Sequence, residues 1–114
     1  MTVTIWHNPR CSKSRETLAL LESKDAPVEV RHYLQSPPTE AEIHWALSQL
    51  GLPAQDMLGK GEKLFKDLGL KDVADESALI AAMVTHPILI ERPIVFSNGK
   101  ARIGRPPETV LDIL

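Results

Sequence analysis

The chain has 114 residues, of which 43% are hydrophobic and 25% charged, and its formal net charge is -2 at pH 7. These values are typical of a globular protein, and the length predicts one domain over residues 1–114. The near-neutral charge argues against a nucleic-acid partner, and no apolar run reaches the roughly 18 residues of a membrane span. A single cysteine allows neither an internal disulfide nor a multi-cysteine metal site. We therefore expect a cytoplasmic monomer without a bound metal.

The first third of the chain predicts a strand, a helix and a second strand. Residues 2–6 form a short β-branched and aromatic run. A helical pattern starts at about Cys11 and ends near residues 24–25. Residues 28–33 alternate as a half-buried strand does. A strand, helix and strand in about 30 residues predict two parallel strands with a right-handed crossover.

The middle of the chain predicts a helical insertion between the second and third strands, at about residues 39–86. Thr39 and Glu42 match a capping box, and the helix that they begin stops at Gly51. A shorter helix follows, and a third helix begins after Asp75.

The last third predicts a return to the sheet. Residues 94–96 and 100–103 flank Asn98 and Gly99, which is the strongest local signal for a tight antiparallel hairpin. Pro106 suits the first position of a final helix. The residues of that helix expected to face inward are Val110, Leu111 and Leu114. The order βαβ, helical insertion, ββα predicts an α/β fold with a four-stranded mixed sheet on the thioredoxin-like plan.

Cys11 is the main candidate for chemistry. A lone cysteine is often a buried, inert hydrophobe. This one follows a predicted strand and opens a helix, in a loop with Asn8 and the basic Arg10, and such a setting lowers a thiol pKa from about 8.5 to somewhere between about 3.5 and 7.5. Cys11 and Ser14 have the spacing of a Cys-x-x-Cys motif with serine in the second place. An oxidised intermediate on Cys11 would therefore need a thiol from outside the loop.

For each of three further residues, two interpretations are open. His7 either stabilises the thiolate or relays the proton of the thiol, or it is a strand-end histidine without a role. Arg92 is a solvated edge charge, unless the thioredoxin-like plan makes Pro93 the cis-proline that faces the thiol and directs Arg92 toward Cys11. Arg105 is an exposed loop charge, or the second guanidinium of a site for a tetrahedral oxyanion.

Three motifs resemble those of the glutaredoxin-dependent arsenate reductase family. They are His-Asn-Pro-Arg-Cys-Ser-Lys-Ser-Arg at residues 7–15, His-Pro-Ile-Leu-Ile-Glu-Arg-Pro-Ile-Val at 86–95, and Arg-Ile-Gly-Arg-Pro-Pro-Glu at 102–108. The resemblance covers nearly the whole chain and implies a thioredoxin-like fold with a cis bond before Pro93. It also implies that Cys11 is the nucleophile, that His7 tunes its thiolate, and that Arg92 and Arg105 bind the oxyanion. The cleft-shaping residues would be Asn8, Arg10, Ser14 and Pro93.

The activity that this resemblance implies is the reduction of arsenate to arsenite through a covalent adduct on Cys11. It implies glutathione as co-substrate, glutaredoxin as protein partner and no bound cofactor. In the family the helical insertion supplies a third arginine, whereas the matching stretch here contains Gly59 and Lys60. Two alternatives therefore stay open. They are a monothiol thiol–disulfide oxidoreductase and a non-catalytic regulatory protein of the same fold that binds a partner.

Overall fold

The computed structural model describes residues 2–25 and 27–114. The strands are β1 (Val3–Trp6), β2 (Val28–Arg31), β3 (Ile94–Ser97) and β4 (Lys100–Ile103). The α-helices are α1 (Ser12–Glu22), α2 (Glu40–Leu50), α3 (Ala54–Met57), α4 (Lys63–Asp67) and α5 (Glu76–Thr85). Three 3-10 helices cover Leu70–Asp72, Pro87–Leu89 and Pro107–Ile113. Within these described residues, none of the helices has the length and apolar content to cross a membrane.

The chain divides into two compact units. The first consists of the chain up to Ser36 and from Arg92 onward, and it contains the four strands, α1 and the last 3-10 helix. The second is Pro37–Glu91 and contains α2 to α5. The stretch predicted as a helical insertion, residues 39–86, lies within this second unit.

The first unit is built on a mixed sheet with the strand order β2-β1-β3-β4. β1 runs parallel to β2 and antiparallel to β3, with Ile5 opposite Val95, and β3 runs antiparallel to β4. At the turn between β3 and β4, Asn98 and Gly99 have φ angles of 56° and 73°. Two left-handed residues in a row are what a two-residue type I′ hairpin requires. The predicted hairpin and the thioredoxin-like α/β fold class are confirmed.

One face of the sheet forms the core of the first unit. Its buried residues come from β1, α1, β3 and the last 3-10 helix, and they are Val3, Ile5, Leu21, Val95, Val110 and Ile113. They hold the first helix and the C-terminal segment against the sheet. Because side chains alternate along a strand, Trp6 lies on the opposite face from Ile5, and its ring packs against Phe96 with centroids 5.0 Å apart.

In the second unit, two predicted helix-end signals are found, together with one α-helix, α3, that was not predicted. The Thr39 hydroxyl accepts a hydrogen bond from the Glu42 N–H at 3.1 Å, and the Glu42 carboxylate accepts one from the Thr39 N–H at 3.0 Å. The predicted capping box is therefore confirmed, as is the end of α2 at Gly51, whose φ is 68°. The unpredicted α3 has only four residues, too few for a periodic pattern, and the Ala54 N–H at its start donates to the Glu76 carboxylate.

The prediction for the second strand is wrong in two respects. β2 ends at Arg31 and does not extend to residue 33. Its burial does not alternate either, because Glu29 and Val30 are both exposed. β2 is an edge strand of the sheet, with β1 as its only neighbour in the described strand order.

The prediction for the final helix is also corrected. It is a 3-10 helix that begins at Pro107, and Pro106 is the extended residue before it. Residues three apart share a face in a 3-10 helix. Pro107, Val110 and Ile113 are therefore buried, whereas Leu111 and Leu114 are exposed.

Candidate active site

Cys11 lies at the junction of the loop after β1 and the start of α1. Its backbone is extended, with φ -96° and ψ 123°, and it occupies the capping position before Ser12. The first N–H groups of a helix have no partners within the helix. Here the backbone N–H groups of Lys13 and Ser14 donate to the half-buried Cys11 sulfur. The predicted start of the helix thus places a free thiol among hydrogen-bond donors.

Two guanidinium groups converge on this sulfur. The side chain of Arg92 donates a hydrogen bond to it, and Nη2 of Arg105 lies 3.5 Å from Sγ of Cys11. Nε of Arg105 donates to the Arg92 carbonyl at 2.9 Å, so the two arginines are also joined to each other. The peptide bond before Pro93 is cis, as the resemblance implies, and the bond before Pro106 is cis as well. The fold therefore brings Arg92 and Arg105 to Cys11.

The surroundings of Cys11 shift the equilibrium of its thiol toward the thiolate. Burial raises the pKa of the Cys11 thiol, but hydrogen bonds from the Ser14 N–H, the Arg92 side chain and the Lys13 N–H, together with the positive charge of Arg92, lower it below its ordinary value. Donors aimed at a sulfur stabilise the charged form more than the neutral one. At a given pH a larger fraction of Cys11 is therefore thiolate than in an ordinary cysteine, and the thiolate is the nucleophilic form of the residue.

His7 acts on a neighbour of the thiol. Its Nδ1 lies 2.7 Å from Oγ of Ser14, and both residues are buried. The same Oγ accepts a hydrogen bond from the Asn8 N–H at 3.0 Å. The Ser14 hydroxyl has one donor and two acceptor sites, so it can pair with the Asn8 N–H and with the His7 ring at the same time.

The His7 ring is held in its neutral form. Burial, the nearby His32 and the charge of Arg15 all lower the pKa of His7 below its ordinary value. The His32 ring meets the His7 ring edge-on, with centroids 5.8 Å apart. A neutral ring contributes hydrogen bonding to the loop but no positive charge.

The other predicted loop residues fix the backbone around the thiol. The buried Asn8 accepts a hydrogen bond from the Arg10 N–H on its side-chain oxygen at 3.0 Å and from the Cys11 N–H on its carbonyl oxygen at 3.0 Å. The side chain of Arg10 is exposed. The guanidinium of Arg15 reaches back to the Pro9 carbonyl at 2.8 Å. The basic side chains that reach the sulfur are therefore those of Arg92 and Arg105, while Asn8 shapes the loop.

Gly59 and Lys60 belong to the second unit. The Gly59 N–H donates to the Leu89 carbonyl at 2.7 Å, which fixes the backbone at this point. Lys60 is exposed, and its Nζ lies 4.0 Å from Oδ1 of Asp56. It lines a cleft of about 710 Å³ together with Phe65 and other residues of the same unit. A carboxylate near an ammonium group reduces the net charge that it offers to an anion.

Two residues next to the site have no role in the sequence interpretation. Thr17 is fully buried on the same face of α1 as Ser14, and its hydroxyl donates to the Lys13 carbonyl at 2.8 Å. Gly104 is buried directly before Arg105, and its N–H donates to the Pro93 carbonyl at 2.9 Å. The three- and four-residue spacing of positions 14, 17 and 21 was the available signal for Thr17. Among the described residues, no group of three His, Cys, Asp or Glu side chains is placed to hold a metal ion.

Comparisons with known proteins agree with this description. Residues 6–113 match the model of the ArsC family. A relative from Escherichia coli K12 named "Uncharacterized protein YfgD" is 53% identical over 114 residues, which cover 98% of this chain and 96% of that protein. A protein of Haemophilus influenzae named arsenate reductase is 46% identical over 116 residues, with all of both chains covered. The solved structure of an arsenate reductase from Vibrio cholerae is 52% identical and superposes with a TM-score of 0.96, covering 100% of this chain and 98% of that one.

A free cysteine lies at the start of the first helix, and the sheet is mixed with the strand order β2-β1-β3-β4. Together with the match to the solved structure, these features place this protein in the thioredoxin-like class. Within that class, the chain belongs to the ArsC family.

Proposed function

We propose that this protein reduces arsenate to arsenite through a covalent adduct on Cys11, with glutathione and glutaredoxin as the external reductants. The observation that carries the proposal is the convergence of Arg92 and Arg105 on the Cys11 sulfur. Two guanidinium groups and the N–H groups of a helix N-terminus are well suited to a tetrahedral oxyanion. Relatives that are named arsenate reductase and match over the whole chain support the choice of oxyanion.

The chemistry needs one thiol from the protein and one from outside. The Cys11 thiolate attacks arsenic, a sulfur–arsenic bond forms, and one arsenate oxygen leaves as water after protonation. The thiolate of glutathione then attacks the Cys11 sulfur, so that a sulfur–sulfur bond forms. The electron pair of the broken sulfur–arsenic bond stays on arsenic, which leaves as arsenite. Two thiols have then been oxidised to a mixed disulfide while arsenic has gained two electrons.

Regeneration of the free thiol is the role proposed for glutaredoxin. Ser14 occupies the place where a Cys-x-x-Cys motif has its resolving cysteine, and Cys11 is the one cysteine of the sequence. The mixed disulfide of Cys11 with glutathione must therefore be opened by thiolate attack from another molecule. Such a cycle fits the reducing thiol pool of the cytoplasm.

In the proposed reaction the main role of the arginines is electrostatic. Arg92 and Arg105 would neutralise the oxygens of bound arsenate, which otherwise repel the incoming thiolate. The N–H groups of Lys13 and Ser14 would keep the sulfur charged before attack. The neutral His7 would orient Ser14 and thereby the backbone donor of the thiolate.

The decisive assay couples arsenate reduction to NADPH oxidation through glutathione reductase, glutathione and glutaredoxin. The wild-type protein is expected to sustain arsenate-dependent oxidation, and Cys11→Ser is expected to reduce it to the rate without protein. Ser12→Ala, an exposed hydroxyl at the start of the same helix, serves as the matched control and is expected to stay active. Arsenate turnover by Cys11→Ser at the wild-type rate would rule out the covalent scheme.

A second candidate function is a monothiol oxidoreductase that acts on glutathionylated proteins. The observation that favours it is Lys60, which stands where the family has an arginine and has Asp56 close to its ammonium group. A lysine lacks the planar fork that an arginine offers to an oxyanion. The same coupled assay with a glutathionylated peptide in place of arsenate separates the two. Activity on the peptide with none on arsenate would select the second function.

A further inference from the structure

Gly104 occupies a position where a side chain has no room. A Cβ atom built on its backbone would lie 2.6 Å from Oγ1 of Thr17, 3.2 Å from Cγ2 of the same residue and 2.9 Å from Cγ of Pro93. The first and last of these distances are well inside van der Waals contact. The end of β4 can therefore approach α1 and the start of β3 this closely only because residue 104 has no side chain.

The neighbours of Gly104 cannot easily move away. Thr17 is fully buried, and its hydroxyl is tied to the Lys13 carbonyl at 2.8 Å. Rotation about its χ1 angle would bring another branch of the β-branched side chain toward the same space. Pro93 is a buried, rigid ring. A side chain at residue 104 would therefore shift the backbone of residue 104 itself, since Thr17 and Pro93 are held in place.

The backbone of Gly104 is linked directly to the proposed oxyanion site. Its N–H donates to the Pro93 carbonyl at 2.9 Å, and Arg105 is the next residue. Arg105 in turn donates from Nε to the Arg92 carbonyl at 2.9 Å and places Nη2 3.5 Å from the Cys11 sulfur. Two neighbouring hydrogen bonds thus align the Arg105 segment along the Arg92–Pro93 segment, and both depend on the close approach at Gly104.

We propose that Gly104 is a positioning residue for oxyanion binding, because the missing side chain lets the Arg105 guanidinium reach the Cys11 sulfur. The proposal rests on the oxyanion site of the proposed function and adds the residue that sets its geometry. Arg105 itself is exposed at the surface, so its orientation depends on its backbone and on the hydrogen bond to Arg92. A shift of a few tenths of an ångström at residue 104 would misalign the guanidinium fork.

The test measures how well sulfate, a tetrahedral oxyanion that thiols do not reduce under these conditions, protects Cys11 from alkylation by iodoacetamide. Ionic strength is held constant with chloride. Gly104→Ala is expected to raise the sulfate concentration needed for half-maximal protection about tenfold. This change corresponds to the loss of one charge-assisted hydrogen bond. The alkylation rate without sulfate reports separately that the thiol itself is intact. Gly61→Ala is the matched control, because a Cβ at Gly61 meets nothing within 4 Å.

A compensating variant separates a positioning role from general destabilisation. Thr17→Ala removes both side-chain atoms of Thr17 that a Cβ at residue 104 would meet. The double variant Gly104→Ala with Thr17→Ala is therefore expected to regain at least half of the lost protection on a logarithmic scale. If Gly104→Ala does not fold, the same comparison is made between the double variant and Thr17→Ala alone. Pairwise coupling of this size is expected only between residues in contact.

The outcomes distinguish the two proposals. If sulfate protects wild type and Gly104→Ala equally, the oxyanion site stands and the role of Gly104 is overturned. If sulfate protects the double variant no better than it protects Gly104→Ala, the proposed contact with Thr17 is overturned. If sulfate does not protect the wild-type thiol, the oxyanion site of the proposed function fails, and the role of Gly104 fails with it.

Discussion

His7 and Ser14 form a buried hydrogen bond of 2.7 Å, and Ser14 also donates its backbone N–H to the Cys11 sulfur. One serine thus contacts the histidine through its hydroxyl and the thiolate through its main chain. His7 is therefore linked to the thiol through Ser14, at the start of α1. The serine that replaces the second cysteine of a Cys-x-x-Cys motif is a structural member of the site.

Replacement of Ser14 by alanine is expected to destabilise the fold by about 1–3 kcal/mol. The variant leaves the Asn8 N–H and Nδ1 of His7 without their shared partner in a buried position. Urea denaturation of the variant and the wild type measures the difference in the free energy of unfolding. The exposed Ser12 supplies the control, and Ser12→Ala should change that free energy by no more than about 0.5 kcal/mol. Equal effects of the two substitutions would contradict the assignment.

The neutral state of His7 predicts a pH dependence of stability. Because the pKa of His7 is lowered in the folded protein by burial, His32 and Arg15, the unfolded chain takes up this proton at a higher pH than the folded one. The free energy of unfolding should therefore fall as the pH drops below about 6.5, the ordinary value of the group, toward its folded pKa. His7→Gln removes this contribution, so the variant should lose less stability than wild type between about pH 7.5 and pH 5.5.

Urea denaturation at the two pH values measures this difference. His44 lies at the surface of α2 beside Glu40, and His44→Gln is the control that should keep the wild-type pH dependence. The interpretation fails if His7→Gln and wild type lose the same amount of stability over this range.

Arg92 should set the reactivity of the thiol. In the wild-type protein, the pH midpoint of the alkylation rate is expected to lie below about 8.5, the pKa of an ordinary thiol. Arg92→Ala removes a hydrogen bond and a positive charge from the sulfur, so the midpoint should move to higher pH. The pH dependence of the iodoacetamide rate measures it, with Arg10→Ala as the control, since Arg10 is exposed. A midpoint that moves equally in both variants would show that general charge, and not Arg92, acts on Cys11.

The capping box of α2 predicts a stability effect in the second unit. Thr39→Ala removes the acceptor of the Glu42 N–H, and the free energy of unfolding should fall by about 1 kcal/mol. Thermal or urea denaturation measures the loss. Thr85 is an exposed threonine at the last residue of α5, and Thr85→Ala provides the comparison. The prediction is contradicted if the Thr85 variant loses as much stability as the Thr39 variant.

The features that could be predicted from the sequence are those that a few neighbouring residues determine. Thr39 and Glu42 begin a helix through their own side chains, and Asn98 and Gly99 make a turn through their own φ angles. The position of Cys11 before α1 was equally predictable, because the loop and the helix pattern lie next to each other in the sequence.

The features that escaped prediction depend on distant partners or on the type of helix. Gly104 matters only because Thr17 and Pro93 surround it, and nothing near residue 104 reveals this. The contact of His32 with His7 requires β2 to lie beside β1. The final helix has a period of three residues, so the pattern of an α-helix gave Val110 correctly as a buried residue but Leu111 and Leu114 wrongly.

The site also has consequences for how the chain acquires its reactivity. The N–H groups that stabilise the thiolate come from α1 and are local to Cys11, whereas Arg105 is 94 positions away. The arginines reach the sulfur only after β3 has paired antiparallel with β1, a contact of high sequence separation that forms at a large cost in chain entropy. Until this pairing forms, the thiol therefore lacks its cationic partners. Full nucleophilicity should arise together with the completed sheet, so that the reactivity of Cys11 reports on folding of the first unit.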